Sequence, residues 1–99
     1  MKRNFNQPLL DLKGQPMAAG DTLKDAAINS LLGQLVGDER QSGTDKVKCF
    51  KLAQKIEAGD PVELTTEELA TIKDRIGKGM FTLVVGRCFE LLEQDYVEA

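Results

Sequence analysis

The sequence predicts a mainly α protein, a small bundle of about four helices preceded by an N-terminal extended arm or short β-hairpin. Three observations carry that prediction. After residue 21, four stretches repeat apolar side chains at three-to-four spacing, the period of a helix with one buried face. Three of them open at a threonine and end at a glycine. Before residue 22, Pro8, Gly14, Pro16 and Gly20 interrupt any helical pattern. With 99 residues, 41% of them apolar, the chain has material for one core, so arm (1–21) and helical domain (22–99) are expected to form one globular unit.

In the arm, Phe5, Leu9, Leu10, Leu12 and Met17 lie scattered between the breakers. Asp11-Leu12-Lys13-Gly14 has Asp first and Gly fourth, the preference of a type I turn, which folds the arm back as a hairpin. The first helix is expected over Leu23–Val36, with Thr22 as N-cap, Asp25 as its reciprocal partner, and Gly37 as its stop. Asp38 to Gly43 reads as a solvated loop open to proteolysis. The second helix is expected over Asp45–Ala58, entered through Thr44 and ended by Gly59 ahead of Pro61, with Val47, Cys49, Phe50, Leu52, Ala53 and Ile56 as its apolar set. The third has the clearest start: Thr65 as N-cap, Glu68 three residues on, and Leu64 placed to staple against Leu69. Its stripe runs through Ile72 and Ile76 to Gly77. The fourth, from Met80 or Phe81 to Gln94, is the most apolar and is expected to be the central helix, with Gly86 marking a close crossing that offsets its cost of about 1 kcal/mol. The acidic end, Glu90, Glu93, Asp95 and Glu98, opposes the helix dipole and is expected to fray.

Composition narrows the function. There are 13 basic and 16 acidic side chains and no histidine, for a net charge of -3. Overall charge gives no attraction for phosphate backbones or anionic membranes, and imidazole-based triads and zinc sites are excluded. Cys49 and Cys88 form no CxxC pair and follow no secretory leader, so they read as reduced core thiols in a cytoplasmic protein. No run approaches the length of a membrane span. The carboxylates, among them Asp60, Glu63, Glu67, Glu68 and Asp74, are explained by helix starts and lysine pairing. No catalytic, cofactor-binding or metal-binding residue is expected.

Two surface features remain. Lys48, Lys51 and Lys55 share one helix face, a basic stripe suited to an acidic protein partner, and Phe5, Leu9 and Leu10 of the arm are candidates to pack on the helices or to join a partner's sheet edge. Lys78 and Gly79, just before the fourth helix, and Arg87 within it are candidates for an anion site.

The segments Met1-Lys2-Arg3-Asn4-Phe5-Asn6, Leu10-Asp11-Leu12-Lys13-Gly14-Gln15-Pro16, Val62-Glu63-Leu64-Thr65-Thr66-Glu67-Glu68 and Leu83-Val84-Val85-Gly86-Arg87 together resemble small phage and prophage proteins of about this length whose role is unassigned. The resemblance covers most of the chain and implies a genomic setting, with no catalytic motif to carry over. The expected function is noncatalytic binding to a phage or host protein, or to a second copy, since the fourth helix has more apolar circumference than three short helices cover. The alternative is a nucleotide or nucleic-acid binding module built on the helix-two lysines with Lys78 and Arg87.

Overall fold

A computed structural model of the chain describes residues 1–17, 20–35, 38–59 and 61–94, and in it local capping chemistry sets most of the element boundaries. The helices are α1 (Leu23–Leu32), α2 (Gly43–Ala58), α3 (Thr66–Gly79) and α4 (Thr82–Leu92), joined by two short strands, β1 (Lys2–Arg3) and β2 (Val62–Glu63), and a 3-10 turn at Asp38–Arg40. Both predicted capping boxes form: Thr22 and Thr65 accept from the backbone N–H of Asp25 and Glu68, whose carboxylates accept the cap N–H in return. For α2 the cap is Ser42, two residues before the expected Thr44, and its hydroxyl accepts from the Asp45 N–H. Serine is the stronger N-cap of the two, and Thr44 falls inside the first turn.

α1 stops at Leu32, short of the expected Val36, which lies outside the described residues together with Gly37. A Cβ at Gly33 would stand 2.8 Å from the Asn29 carbonyl oxygen. Gly33 alone fits there, and its backbone leaves the helix extended. α3 runs past the expected Gly77 to Gly79, because the Met80 N–H still reaches the Ile76 carbonyl. α4 begins at Thr82 with Phe81 at the N-cap position, where its side chain makes no capping bond.

The arm is extended and folds back at the predicted turn. The Gly14 N–H donates to the Asp11 carbonyl at 3.1 Å, Gly14 adopts φ +81°, and Leu10 bridges Pro16. Among the described residues the one regular strand pair is non-local: β1 runs antiparallel to β2, with Lys2 opposite Glu63 and Arg3 opposite Val62. Glu63 accepts from the N-terminal ammonium at 2.9 Å, a bond that holds its carboxyl below the usual range.

Phe5 and Leu9 of the arm enter the same core as Leu23, Ala27, Leu31, Ile56, Ile72, Ile76, Cys88 and Leu92. α1, and not α4, is the central helix. Its buried face includes Ala26 and Ala27, which allow close approach, and it packs on α2, α3 and α4. α4 buries a narrower stripe, Val84, Cys88 and Leu92. Gly86 faces open space, correcting its expected role, and the tight approach occurs instead at Gly79, where a Cβ would lie 2.8 Å from Leu35 Cδ2.

Candidate interaction surfaces

Lys48, Lys51 and Lys55 stand exposed on the flank of α2 that turns toward α3. Because α2 and α3 both pack on α1, a groove of about 360 Å³ opens between them, lined by these lysines, Leu52, Glu67, Glu68 and Thr71. Lys55 Nζ donates to both carboxylate oxygens of Glu68, at 2.9 and 3.2 Å. Burial pushes the Glu68 carboxyl up, but the hydrogen bonds from Lys55 and from the Thr65 N–H, together with the Lys55 charge, outweigh it and hold the group below its usual range. The basic stripe thus faces carboxylates of its own chain.

The apolar set of α2 divides between two faces. Cys49, Leu52, Ala53 and Ile56 are buried, whereas Val47 is 50% and Phe50 52% exposed. At 3.6 residues per turn these two lie about 170° and about 110° from the centre of the buried face, too far round to reach it. Leu32 at the end of α1 is also exposed, and a hollow of about 280 Å³ between the helices is lined by Leu31, Leu32, Gln34, Lys46 and Phe50 among others.

Phe5 and Leu9, candidates to pack on the helices or to join a partner's sheet edge, are each 1% exposed and pack on the helices as part of the core. Their burial follows from how the arm is tied down. The Leu9 N–H donates to Asp21, and the Leu23 and Lys24 N–H groups donate to Gln7 and Phe5. Leu10 is half-buried, and its carbonyl accepts from Arg87 Nε at 3.1 Å, while Arg87 Nη2 donates to the Asp11 carbonyl at 2.6 Å and Nη1 to Glu90 at 3.2 Å.

The anion site expected at Lys78, Gly79 and Arg87 does not assemble. Arg87 is occupied as a clasp on the arm. Lys78 pairs with Asp74 at 3.1 Å on the outside of α3. Gly79 lies in the last turn of α3 rather than in a loop of free N–H groups, and it serves the contact with Leu35. Further along the surface, Lys73 pairs with Glu93 at 3.1 Å; Asp95 and Glu98 lie outside the described residues.

Two features escaped the sequence reading. The first is Arg75, buried on α3 between Ile72 and Ile76. Its Nε donates to the Ser30 carbonyl at 2.9 Å, Nη2 to the Gly33 carbonyl at 2.7 Å and Nη1 to Asp38 at 2.6 Å. α1 has no basic residue in its last turn, so Arg75 caps its orphan carbonyls from another helix. Asp38, expected in a solvated loop, is buried and also accepts from the Leu35 N–H at 2.6 Å. The Arg75 guanidinium, and after it the Leu35 N–H, hold the Asp38 carboxyl below its usual range.

The second is a groove of about 370 Å³ where α1, α4 and the arm meet. Leu9, Met17, Ala26, Met80, Phe81 and Val84 form its apolar walls, and Asp21, Asp25 and Asn29 line the α1 side. Phe81 is 67% exposed at its mouth. In the sequence Phe81 reads only as an apolar residue at the start of the fourth helix.

Neither cysteine is set up as a nucleophile: burial pushes the Cys88 thiol up to about 11, and Cys49 is buried beside Gln41, whose Nε2 lies 3.6 Å from its sulfur. Among the described residues, no group of three or more cysteines and carboxylates is placed to hold a metal ion, and no helix is long and apolar enough to cross a membrane. Comparison of the chain with protein-family models, with curated proteins and with solved structures finds no match.

Proposed function

We propose that this chain is a noncatalytic protein-binding module that docks through the exposed flank of α2 on an acidic protein surface. The observation that carries the reading is the exposure of Val47 and Phe50 on a helix that also displays Lys46 and Lys51. Within residues 46–51 the order around the helix is Lys46, Phe50, Val47, Lys51, an apolar pair with an ammonium group on either edge, and the exposed Gln54 and Glu57 follow on the same face one to two turns further on. Such a face supplies an aromatic anchor together with charges that steer an acidic partner. The resemblance to phage and prophage proteins supports a phage or host protein as that partner and a cytoplasmic setting.

A nucleic-acid reading draws support from the same exposed Phe50 near lysines. The α2–α3 groove, however, sets Glu67 and Glu68 opposite Lys48, Lys51 and Lys55, and those carboxylates would repel phosphate. Affinity capture from host lysate decides between the readings. Phe50→Ala with Lys51→Glu is expected to lose protein partners that Lys48→Glu with Lys55→Glu retains. An unchanged partner set in the first variant overturns the docking face, and a complex with DNA or RNA at low salt that weakens steeply as salt rises favours the alternative.

A further inference from the structure

We infer that the groove between α1, α4 and the arm receives the α2 flank of a second copy of this chain, in a head-to-tail contact. The inference rests on the proposed role of that flank and names one partner for it. The two surfaces share no residue: the groove is built from Met17, Met80, Phe81 and Val84 with Asp21 and Asp25, the flank from Lys46, Val47, Phe50 and Lys51.

Their chemistry is complementary. The groove has apolar walls and, among the described residues, an α1 side whose only charged groups are Asp21 and Asp25, with no basic side chain in its lining. Asp21 precedes the Thr22 N-cap and Asp25 stands in the first turn of α1, and Lys46 and Lys51 are about 7.5 Å apart along α2. Since a lysine stands on each edge of the Phe50–Val47 pair, one ammonium meets the α1 aspartates whichever way α2 lies. The fold also gives Phe81 no reason to be where it is. It caps nothing, leaves two-thirds of a phenyl side chain in water, and occupies a position where serine, threonine or aspartate would stabilise α4. A residue that serves the monomer poorly at the mouth of an apolar groove is explained by what it meets there.

Sedimentation velocity of the full chain, at protein concentrations up to about 1 mM and low salt, tests this. The expected result is a mass that rises with concentration beyond the monomer and falls back with added salt. Phe50→Ala and Phe81→Ser, each folded by circular dichroism, are each expected to weaken association about tenfold or more. Mixed in equal amounts, they are expected to form a one-to-one pair and nothing larger, because each retains the surface the other lacks. A wild-type chain that stays monomeric throughout, single variants that associate like the wild type, or a mixture that fails to pair would each overturn the inference. Monomeric behaviour combined with Phe50-dependent capture of a foreign protein leaves the proposed function standing and removes only the second copy as partner. The mixing pattern combined with capture indifferent to Phe50 leaves the self-contact standing and removes the foreign partner.

Discussion

At the seam between α1 and α3 the end of α1 is tied down from another helix: Arg75 takes the Ser30 and Gly33 carbonyls and Asp38, and Asp38 takes the Leu35 N–H. At the flank where α4 meets the arm, the first turn of the helix has no side-chain cap and an aromatic ring stands in solvent. Both regions break a local rule, one by burying an arginine and the other by exposing a phenylalanine. They differ in what compensates. The buried arginine is satisfied inside the chain, so it is a structural element, while the exposed phenylalanine has no internal compensation and points to a contact outside it.

Removing the compensation at the seam should have the largest effect. Arg75→Ala leaves Asp38 and two carbonyl oxygens without their partner, and is expected to cost about 3–5 kcal/mol in urea unfolding. A loss below about 1 kcal/mol would show that water replaces the guanidinium and that the seam is no more closed than the flank. The seam should also titrate. Asp38 has a carboxyl lowered from its ordinary 3.8 by Arg75, so its contribution is complete above that ordinary value and is lost as pH falls through the lowered one. Wild-type stability should therefore drop below about pH 4, and Asp38→Asn should flatten that drop while starting from a lower plateau. An equally steep acid transition in the variant would assign the proton uptake to other carboxylates.

Arg87 sharpens the contrast from the other side, because it belongs to α4 yet is satisfied within the chain by the Leu10 and Asp11 carbonyls. Arg87→Ala is expected to cost about 1–2 kcal/mol, less than the loss at Arg75 because its bonds are only partly buried. Amide exchange should rise chiefly at Lys13 to Gln15, whose turn the arginine anchors. Exchange that rises equally in α1 and α3 would mean that the arm and the helices open as one unit.

What could be read from the sequence follows how far each cause acts along the chain. The capping boxes at Thr22 and Thr65 and the turn at Asp11–Gly14 depend on residues three positions apart, and they form as expected. The end of α1 depends on a carbonyl contact at Gly33 and on an arginine 42 positions downstream, so nothing near Val36 announced it. Asp38 looked like loop because its partner is equally remote. Val47 and Phe50 belong to the same apolar set of α2 as the residues it buries, and hydrophobicity alone does not tell them apart. Only the angular position relative to Cys49, Leu52, Ala53 and Ile56 separates them, and that arithmetic needed no structure. For Phe5 and Leu9 the sequence leaves two places open, the helices or a partner's sheet edge, and the first holds because of where the arm docks, which is set by bonds to Asp21, Leu23 and Lys24.

The smallest expected effect tests the flank itself. Phe81→Ser gives up the third of a phenyl side chain that is covered, about 0.5–1 kcal/mol of burial, and gains a hydroxyl able to cap the free N–H groups of α4, a change of about 1 kcal/mol in the opposite direction. The two nearly cancel, so the variant should unfold within about 0.5 kcal/mol of the wild type at a concentration where the chain is monomeric. A matched change at Leu9, on the inner wall of the same groove but 1% exposed, should cost several times more, because serine there buries a hydroxyl and leaves a cavity. If Phe81→Ser proved as damaging as Leu9→Ser, Phe81 would be part of the core, and the distinction between a closed seam and an open flank would fail. If it proved neutral while weakening association, the cost of keeping an aromatic side chain at the head of α4 would be accounted for by the contact it makes.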